Sequence, residues 1–334
     1  MSVAELNIPF ETSETSAAFR HILVATDFSE PSRRALCDGL LLAEENHARL
    51  SIVHVLHVDR KYSALENPPE IDLDCIDAKE RIEALVEEFE PLRKIDSTFV
   101  RRGSVAEQVR SVIEEQGIDL LVIGTHGRGG LQKLALGSVA EELLRIAPCP
   151  VMTLGPRAEI TPVHHGPEFH GPEFHGPGFH GPGFHKILFA TDFGKGSMKA
   201  LPLALALARA GHAKLTLLHM MPLPTTSTSL SAYVPAAEAA NEFEQWEHTS
   251  RKRAVQELKD CLPAETGLEQ EPRYVVGTEF LAEGILTATT NYGIDLIVMG
   301  ANHTASARMA AHIPWTSVHE VIRNAPCGVL TVAG

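Results

Sequence analysis

The residues best suited to chemistry lie in one glycine-rich segment, GTHGRGGLQKLALGS, residues 124–138. Its glycines are spaced as G-x2-G-x9-G, and a serine follows directly before the helical pattern VAEELLRIA; these residues are Gly124, Gly127, Gly137 and Ser138. Glycine lets the backbone approach a ligand closely, and the unpaired amides of a helix N-terminus attract anions. Arg128 and Lys133 add positive charge. The segment predicts a phosphate-binding loop, and the alternative is a tight strand-to-helix connection that binds nothing.

This loop differs from two common phosphate-binding motifs. A Walker A motif needs Gly-x4-Gly-Lys-Ser/Thr, and a Rossmann fingerprint follows the first strand of its domain. Here the glycines follow the fourth predicted strand, and the turn after the first strand, ATDFSEPS, contains no glycine. The loop is therefore neither motif.

The elements that position the loop occur twice in the 334-residue chain. HILVATDFS matches HKILFATDFG, and ARLSIVHVLH matches AKLTLLHMMP. Further along, GIDLLVIGTH matches GIDLIVMGAN, and APCPVMTL matches APCGVLTV. The chain is therefore a duplication of one domain.

Each copy alternates short apolar runs with longer amphipathic segments, which is typical of parallel sheets covered by helices. In the first copy the predicted strands are Ile22–Ala25, Ile52–Val55, STFVRRG before the helix at Ser104, Leu120–Ile123 and Val151–Leu154. The predicted helices are Ser32–Glu45, Asp77–Phe89, Ser104–Glu115 and Ser138–Ile146. We therefore predict an α/β fold of two tandem doubly wound domains, each with five strands and four helices.

Composition limits the function further. The formal net charge of −14 argues against a broad nucleic-acid or anionic-membrane surface. No apolar run approaches the roughly 18–20 residues that span a bilayer, and the first twenty residues do not resemble a secretion signal. The five scattered cysteines predict reduced, structural thiols. We expect a cytoplasmic protein.

A histidine repeat, HGPEFHGPEFHGPGFHGPGFH, separates the two copies. Imidazoles at this spacing can gather Zn²⁺, Ni²⁺ or Cu²⁺, but Gly and Pro prevent regular structure, so the ligands would be ordered only on binding. We interpret the repeat as a spacer. The predicted boundaries are a disordered tail over 1–19, a first domain over 20–155, a linker over 156–185 and a second domain over 186–334.

The repeated motifs resemble those of the universal stress protein family. The resemblance rests on ATDFS, IVHV, LLVIGTHG and above all G-x2-G-x9-G-S, which marks the members that bind ATP. It covers nearly everything outside the N-terminal tail and the linker. It implies a five-stranded parallel sheet of order 3-2-1-4-5 in each domain, and pairing of the domains as an intrachain pseudo-dimer, with a further homodimer left open.

The resemblance also implies a set of site residues. Asp27 and Val55 would lie against adenine, and ribose and phosphates would follow the glycine loop. The remaining candidates flank these positions at strand ends or in the loop: Thr26, Ile123, Gly124, His126, Gly127, Arg128, Gly137, Ser138 and Val139. His126 has two interpretations, a phosphate contact or acid–base group and a loop histidine without a task. Mg²⁺ is expected with the ATP.

The second copy departs from the pattern. Its loop reads GANHTASARMAAHIPWTS, in which His303 replaces Gly127 and Trp315 precedes Thr316-Ser317 where a glycine is expected. Met220 also replaces Val55. We predict a weak or empty second site, although Thr316 and Ser317 still offer an anion a helix N-terminus.

The predicted function is a cytoplasmic stress-response protein that binds ATP in its first domain. Two alternatives remain: a nucleotide-independent scaffold, and a slow ATPase or phosphotransferase. The sequence shows no arrangement of nucleophile, base and orienting partner and no metal cluster in either domain. We therefore assign no catalytic residue.

Overall fold

A computed structural model describes residues 18–57, 70–89, 95–125, 136–158, 184–222, 236–301 and 315–333, without the side chains of 70–73, 236–242 and 315. In the first domain the strands are β1 (His21–Ala25), β2 (Arg49–His57), β3 (Ser97–Gly103), β4 (Leu120–Gly124) and β5 (Val151–Leu154). Its helices are α1 (Glu30–Glu45), α2 (Glu70–Phe89), α3 (Val105–Gln116) and α4 (Ser138–Ile146). These elements match the predicted ones, with β2 and α2 longer than predicted.

The second domain repeats this order. Its strands are β6 (Lys186–Ala190), β7 (Lys214–Met220), β8 (Arg273–Gly277), β9 (Leu296–Ala301) and β10 (Gly328–Ala333). Its helices are α5 (Lys195–Met198), α6 (Leu201–Ala210), α7 (Ala236–Asp260), α8 (Leu281–Tyr292) and α9 (Trp315–Asn324).

One helix of the second domain differs from the prediction of four per domain. The segment equivalent to α1 is divided into α5 and α6, and Pro202 lies in the first turn of α6. Proline has no amide hydrogen, so it cannot donate the helical hydrogen bond to the carbonyl of Met198, four residues earlier. A continuous helix is therefore broken at this point.

All ten strands lie in one sheet of order β3-β2-β1-β4-β5-β10-β9-β6-β7-β8. Within each domain the strands are parallel in the order 3-2-1-4-5, which confirms the predicted fold class. β5 and β10 are antiparallel, with Met152 opposite Leu330. The carboxyl ends of the first domain's strands therefore lie at the same sheet edge as the amino ends of the second domain's strands.

Helices cover both faces of the sheet and bury two apolar layers. One layer contains residues from α1 and α6, and the other contains residues from α3, α4, α8 and α9. The strands are buried on both sides, which explains their nearly continuous Val, Ile and Leu content. Phe184, at the end of the histidine repeat, is buried in the first layer. Among the described residues, no helix combines the length and apolarity that a membrane span requires.

Candidate functional site

The candidate site of the first domain begins in the turn after β1. The Thr26 hydroxyl lies 3.0 Å from that of Ser32 and accepts the Phe28 amide at 3.0 Å. Asp27 accepts the amide of Ser29 at 3.0 Å, and Ser29 is the N-cap of α1. These bonds fix the direction of the Asp27 carboxylate because the turn and the helix start hold each other in place.

A strained residue completes this turn. Phe28 has φ +64°, a left-handed conformation that is uncommon for a residue with a side chain. Its ring lies 4.5 Å from the ring of His54 and 4.2 Å from the guanidinium carbon of Arg81. His54 Nδ1 donates to the carbonyl oxygen of Thr26 at 2.8 Å. The two ring contacts and the bond from β2 stabilise the unusual backbone.

His54, Phe28 and Arg81 position this turn, and none of the three is among the predicted site residues. The sequence does carry a signal for Phe28, because both copies of the duplicated domain have a phenylalanine at this position of the turn. In the second domain Phe193 has φ +59°, its ring lies 4.3 Å from His219, and His219 Nδ1 bonds the Thr191 carbonyl at 2.9 Å. The Phe–His pair is therefore part of the domain's architecture.

Two apolar candidates lie on one face of the sheet near its carboxyl edge. Val55 is half-buried near the end of β2, and Ile123 is buried at the end of β4. Both pack on the apolar layer beneath α3 and α4. The structure thus places them on the same side as the start of α4.

Gly124 has a packing role that the loop motif does not reveal. A Cβ atom here would lie 2.7 Å from the carbonyl carbon and oxygen of Pro31 in α1. Gly300 stands at the equivalent position in the second domain, where a Cβ would lie 2.3 Å from the Gly196 oxygen. The second domain keeps this glycine although its loop has lost the other glycines. The close packing of helix against strand therefore explains the glycine without a ligand.

The other end of the loop returns to the same strand. The Gly137 amide donates to the Thr125 carbonyl at 2.9 Å, and a Cβ on Gly137 would lie 2.8 Å from that oxygen. Gly137 is the N-cap of α4 and provides no side-chain cap. Ser138 and Val139 are exposed in the first turn. An anion could therefore approach the first amides of α4 without displacing a capping side chain.

Three predicted site residues, His126, Gly127 and Arg128, lie outside the described residues, as do His303 and most of the histidine repeat. In the described ranges, no group of three or more His, Cys, Asp or Glu side chains is arranged to hold a metal ion.

The equivalent region of the second domain keeps the turn but fills the space beyond it. Asp192 accepts the Gly194 amide at 2.8 Å, as Asp27 accepts that of Ser29. The Met220 methyl carbon lies 2.5 Å and 2.2 Å from the positions that Cβ atoms on Gly277 and Gly284 would take. Only glycine at both positions leaves room for this thioether, so Met220 occupies the space beside the ends of β7 and β8.

The helix after the degenerate loop also starts differently. Trp315 is aligned with Gly137. α9 begins at Trp315 itself, whereas α4 begins at Ser138, one residue after Gly137. Gly137 lies so close to the Thr125 carbonyl oxygen that a Cβ atom would not fit, and a tryptophan could not take this position.

These features define a class of protein: a tandem α/β protein with a glycine-rich sequence after the fourth strand of its first domain and a departure from that sequence in its second. A model of the universal stress protein family matches residues 18–154 and 183–333. The chain therefore belongs to the universal stress protein family and contains two of its domains.

Individual universal stress proteins are also similar to this chain. Universal stress protein A homolog 1 of Coxiella burnetii is 33% identical over 139 residues, which are 41% of this chain and 96% of that protein. Universal stress protein YxiE of Bacillus subtilis is 30% identical over 144 residues, which are 40% and 97%. These relatives have the length of one domain of this chain.

A solved structure resembles the whole tandem arrangement. The crystal structure of a universal stress protein from Archaeoglobus fulgidus covers 94% of this chain and 98% of its own, with a TM-score of 0.59 and 17% identity. At this identity the likeness shows the fold alone.

Proposed function

We propose that this protein binds ATP with Mg²⁺ in its first domain and acts in the cytoplasm as a nucleotide-responsive stress-response factor. The observation that carries the proposal is the intact G-x2-G-x9-G-S spacing in a chain of this family. The second domain, with the same fold and a degenerate loop, provides an internal contrast.

The geometry around the loop supports phosphate binding. The two ends of the loop meet at β4 through the bond from Gly137 to Thr125, and α4 starts there without a side-chain cap. The positive end of the helix dipole and the first-turn amides stabilise negative charge. Gly127, Gly137 and Ser138 would hold the phosphates, with Arg128 adding charge; Gly124 contributes through packing.

The adenine end of the site would lie at the ends of β1 and β2. Asp27 is oriented by Ser29, and Val55 offers a half-buried apolar surface on the face that carries Ile123 and α4. A carboxylate beside an apolar surface suits a flat base with polar edges. Magnesium would supply charge neutralisation for the phosphates, and this chain's own residues would fix the base and exclude water.

The antiparallel pairing of β5 and β10 supports an intrachain pseudo-dimer as the working unit. In this proposal the second domain provides the partner surface while its own pocket is filled by Met220. Nucleotide occupancy of the first domain would then act on an interaction of the paired domains.

The experiment is calorimetric titration of the full chain with MgATP, comparing wild type with Gly127→Val. A valine at the closest backbone approach should abolish binding, whereas His303→Val at the equivalent position should leave it unchanged. Thermal unfolding of each variant establishes that the fold is retained.

A complementary measurement is extraction of small molecules from the purified protein and identification of any retained adenine nucleotide. Equal titrations for wild type and Gly127→Val would refute the site. An absence of both retained nucleotide and titration heat would instead favour the nucleotide-independent scaffold.

A further inference from the structure

A second polar pocket lies at the opposite end of the second domain from its degenerate loop. It has a volume of about 230 Å³ and is formed where β6, β7 and β8 begin and α8 ends. Its polar lining comes from Lys186, Lys214, Thr216, Arg273, Asn291 and Tyr292. Among the described residues that line it there is no carboxylate, in a chain whose formal net charge is −14.

The strand register brings the three cations together. Lys186 and Lys214 are direct partners in the β6–β7 pair, and Arg273 is the partner of Thr216 in the β7–β8 pair. Like charges on directly opposed strand positions destabilise a sheet. The fold therefore bears a repulsion that a bound anion would relieve.

Neighbouring groups leave this charge available. Within the described residues, none of the three cations has a carboxylate within ion-pair distance. The nearby Asp295 directs its carboxylate to the backbone amides of His185 and Lys186, at 2.8 and 3.0 Å. The Arg273 guanidinium carbon lies 4.3 Å from the centre of the Tyr292 ring, a cation–π contact that positions the guanidinium without neutralising its charge.

The first domain shows that the fold does not require these charges. There His21 and Arg49 occupy the positions of Lys186 and Lys214, and Ser97 occupies that of Arg273. His21 is buried there, and its Nε2 lies 2.9 Å from the hydroxyl oxygen of Ser51. The first domain therefore has a buried histidine–serine contact where the second has a cationic pocket.

We propose that this pocket binds a phosphate group, either inorganic phosphate or the phosphate of a small phosphomonoester. Two ammonium groups and one planar guanidinium match a dianion with several oxygens, and the Thr216 hydroxyl and Asn291 amide provide neutral donors. A single carboxylate would neutralise only one of three cations. The volume suits a small molecule rather than a nucleotide with its base.

The test is calorimetric titration of the full chain with inorganic phosphate at constant ionic strength set by KCl. Arg273→Ser and Lys214→Gln should each raise Kd about tenfold or more, since each removes a charged hydrogen-bond donor. Arg49→Gln, the matched change in the first domain, should leave Kd unchanged. Repeating the series in the Gly127→Val chain separates this site from phosphate bound at the glycine loop.

Folding and ligand class are checked separately. In phosphate-free buffer Lys214→Gln should unfold at the same or a higher temperature than wild type, because the Lys186–Lys214 repulsion is removed. Glucose 6-phosphate and citrate as competitors distinguish a phosphomonoester from a polycarboxylate. The proposal is overturned if Arg49→Gln weakens phosphate binding as much as Arg273→Ser, if wild type shows no heat beyond dilution, or if citrate binds more tightly than both phosphates.

Discussion

Thr153 and Thr331 form a reciprocal pair across the junction of the two domains: each hydroxyl donates at 3.1 Å to the carbonyl of its cross-strand partner, Val329 and Val151 respectively. Both side chains are buried. The two hydrogen bonds are thus related by the same approximate two-fold symmetry that relates the duplicated domains.

This pair predicts the stability of the junction. Thr153→Val and Thr331→Val should each lower the free energy of unfolding by about 1 kcal/mol, because a buried hydrogen bond is lost with little change in shape. Urea unfolding measures the change. Thr290→Val, which removes an exposed hydroxyl bonded within α8, is the control and should have a smaller effect. Equal losses at all three positions would contradict a special role for the junction.

The glycines at the ends of β4 and β9 give a second prediction. Gly124→Ala and Gly300→Ala should both lower the free energy of unfolding by about 1–3 kcal/mol, since each Cβ would meet backbone atoms of the first helix. Thermal or urea unfolding checks this. If Gly124 served only a ligand, Gly300→Ala in the degenerate copy would be harmless.

Buried thiols give a third prediction. Burial raises the pKa of Cys37 and of Cys149 to about 12 and that of Cys261 to about 11. At pH 8 only about one Cys37 thiol in ten thousand would be ionised, and the thiolate is the reactive form. Mass spectrometry after brief iodoacetamide treatment should show these three cysteines protected in the native protein. The same treatment in urea should modify all five, and rapid native labelling of Cys37 would contradict the prediction.

The fourth prediction concerns pH. Burial at the end of α1 raises the pKa of Glu45 from 4.5 to about 7. The folded state therefore favours the neutral carboxyl, so ionisation costs stability increasingly between pH 4.5 and 7 and fully above that window. Glu45→Gln should match wild type near pH 4 and be more stable at pH 8. Urea unfolding across this range measures the difference.

Its control is Glu44→Gln, a change at the exposed neighbouring position. That variant should lack the rising advantage. A constant difference between Glu45→Gln and wild type at every pH would show that Glu45 does not titrate in the window.

Local patterns were sufficient to predict most of the fold. The strand Leu120–Ile123 and the helix Ser138–Ile146 agree with the structure to within a residue, because apolar periodicity and a glycine before a helix are local signals. The break before Pro202 was missed because the duplicated pattern suggested one continuous helix.

The candidate site was predicted less completely. Strand-end positions such as Asp27 and Val55 follow from the parallel order, but the contact of Gly124 with Pro31 depends on how closely helix and strand pack. The cationic pocket was missed entirely. Lys186, Lys214 and Arg273 are far apart in sequence and meet only through the register of three strands.

The last prediction exchanges the residues that distinguish the candidate nucleotide site of the first domain from the equivalent region of the second. Met220 fits because Gly277 and Gly284 leave space for its methyl group. In the first domain Arg101 and Gln108 stand in the aligned positions of Gly277 and Gly284, so side chains replace both glycines there. A methionine at position 55 would have to extend into the proposed adenine position.

We therefore expect calorimetry to give one MgATP per wild-type chain. Val55→Met should weaken the affinity for ATP about tenfold or more, and a tenfold change is equivalent to about 1.4 kcal/mol. Met220→Val should keep one site and unchanged affinity, while lowering the free energy of unfolding by about 1–3 kcal/mol through the cavity it leaves. Two equivalent sites in wild type, or unchanged affinity in Val55→Met, would show that Met220 and Val55 do not set the difference between the domains.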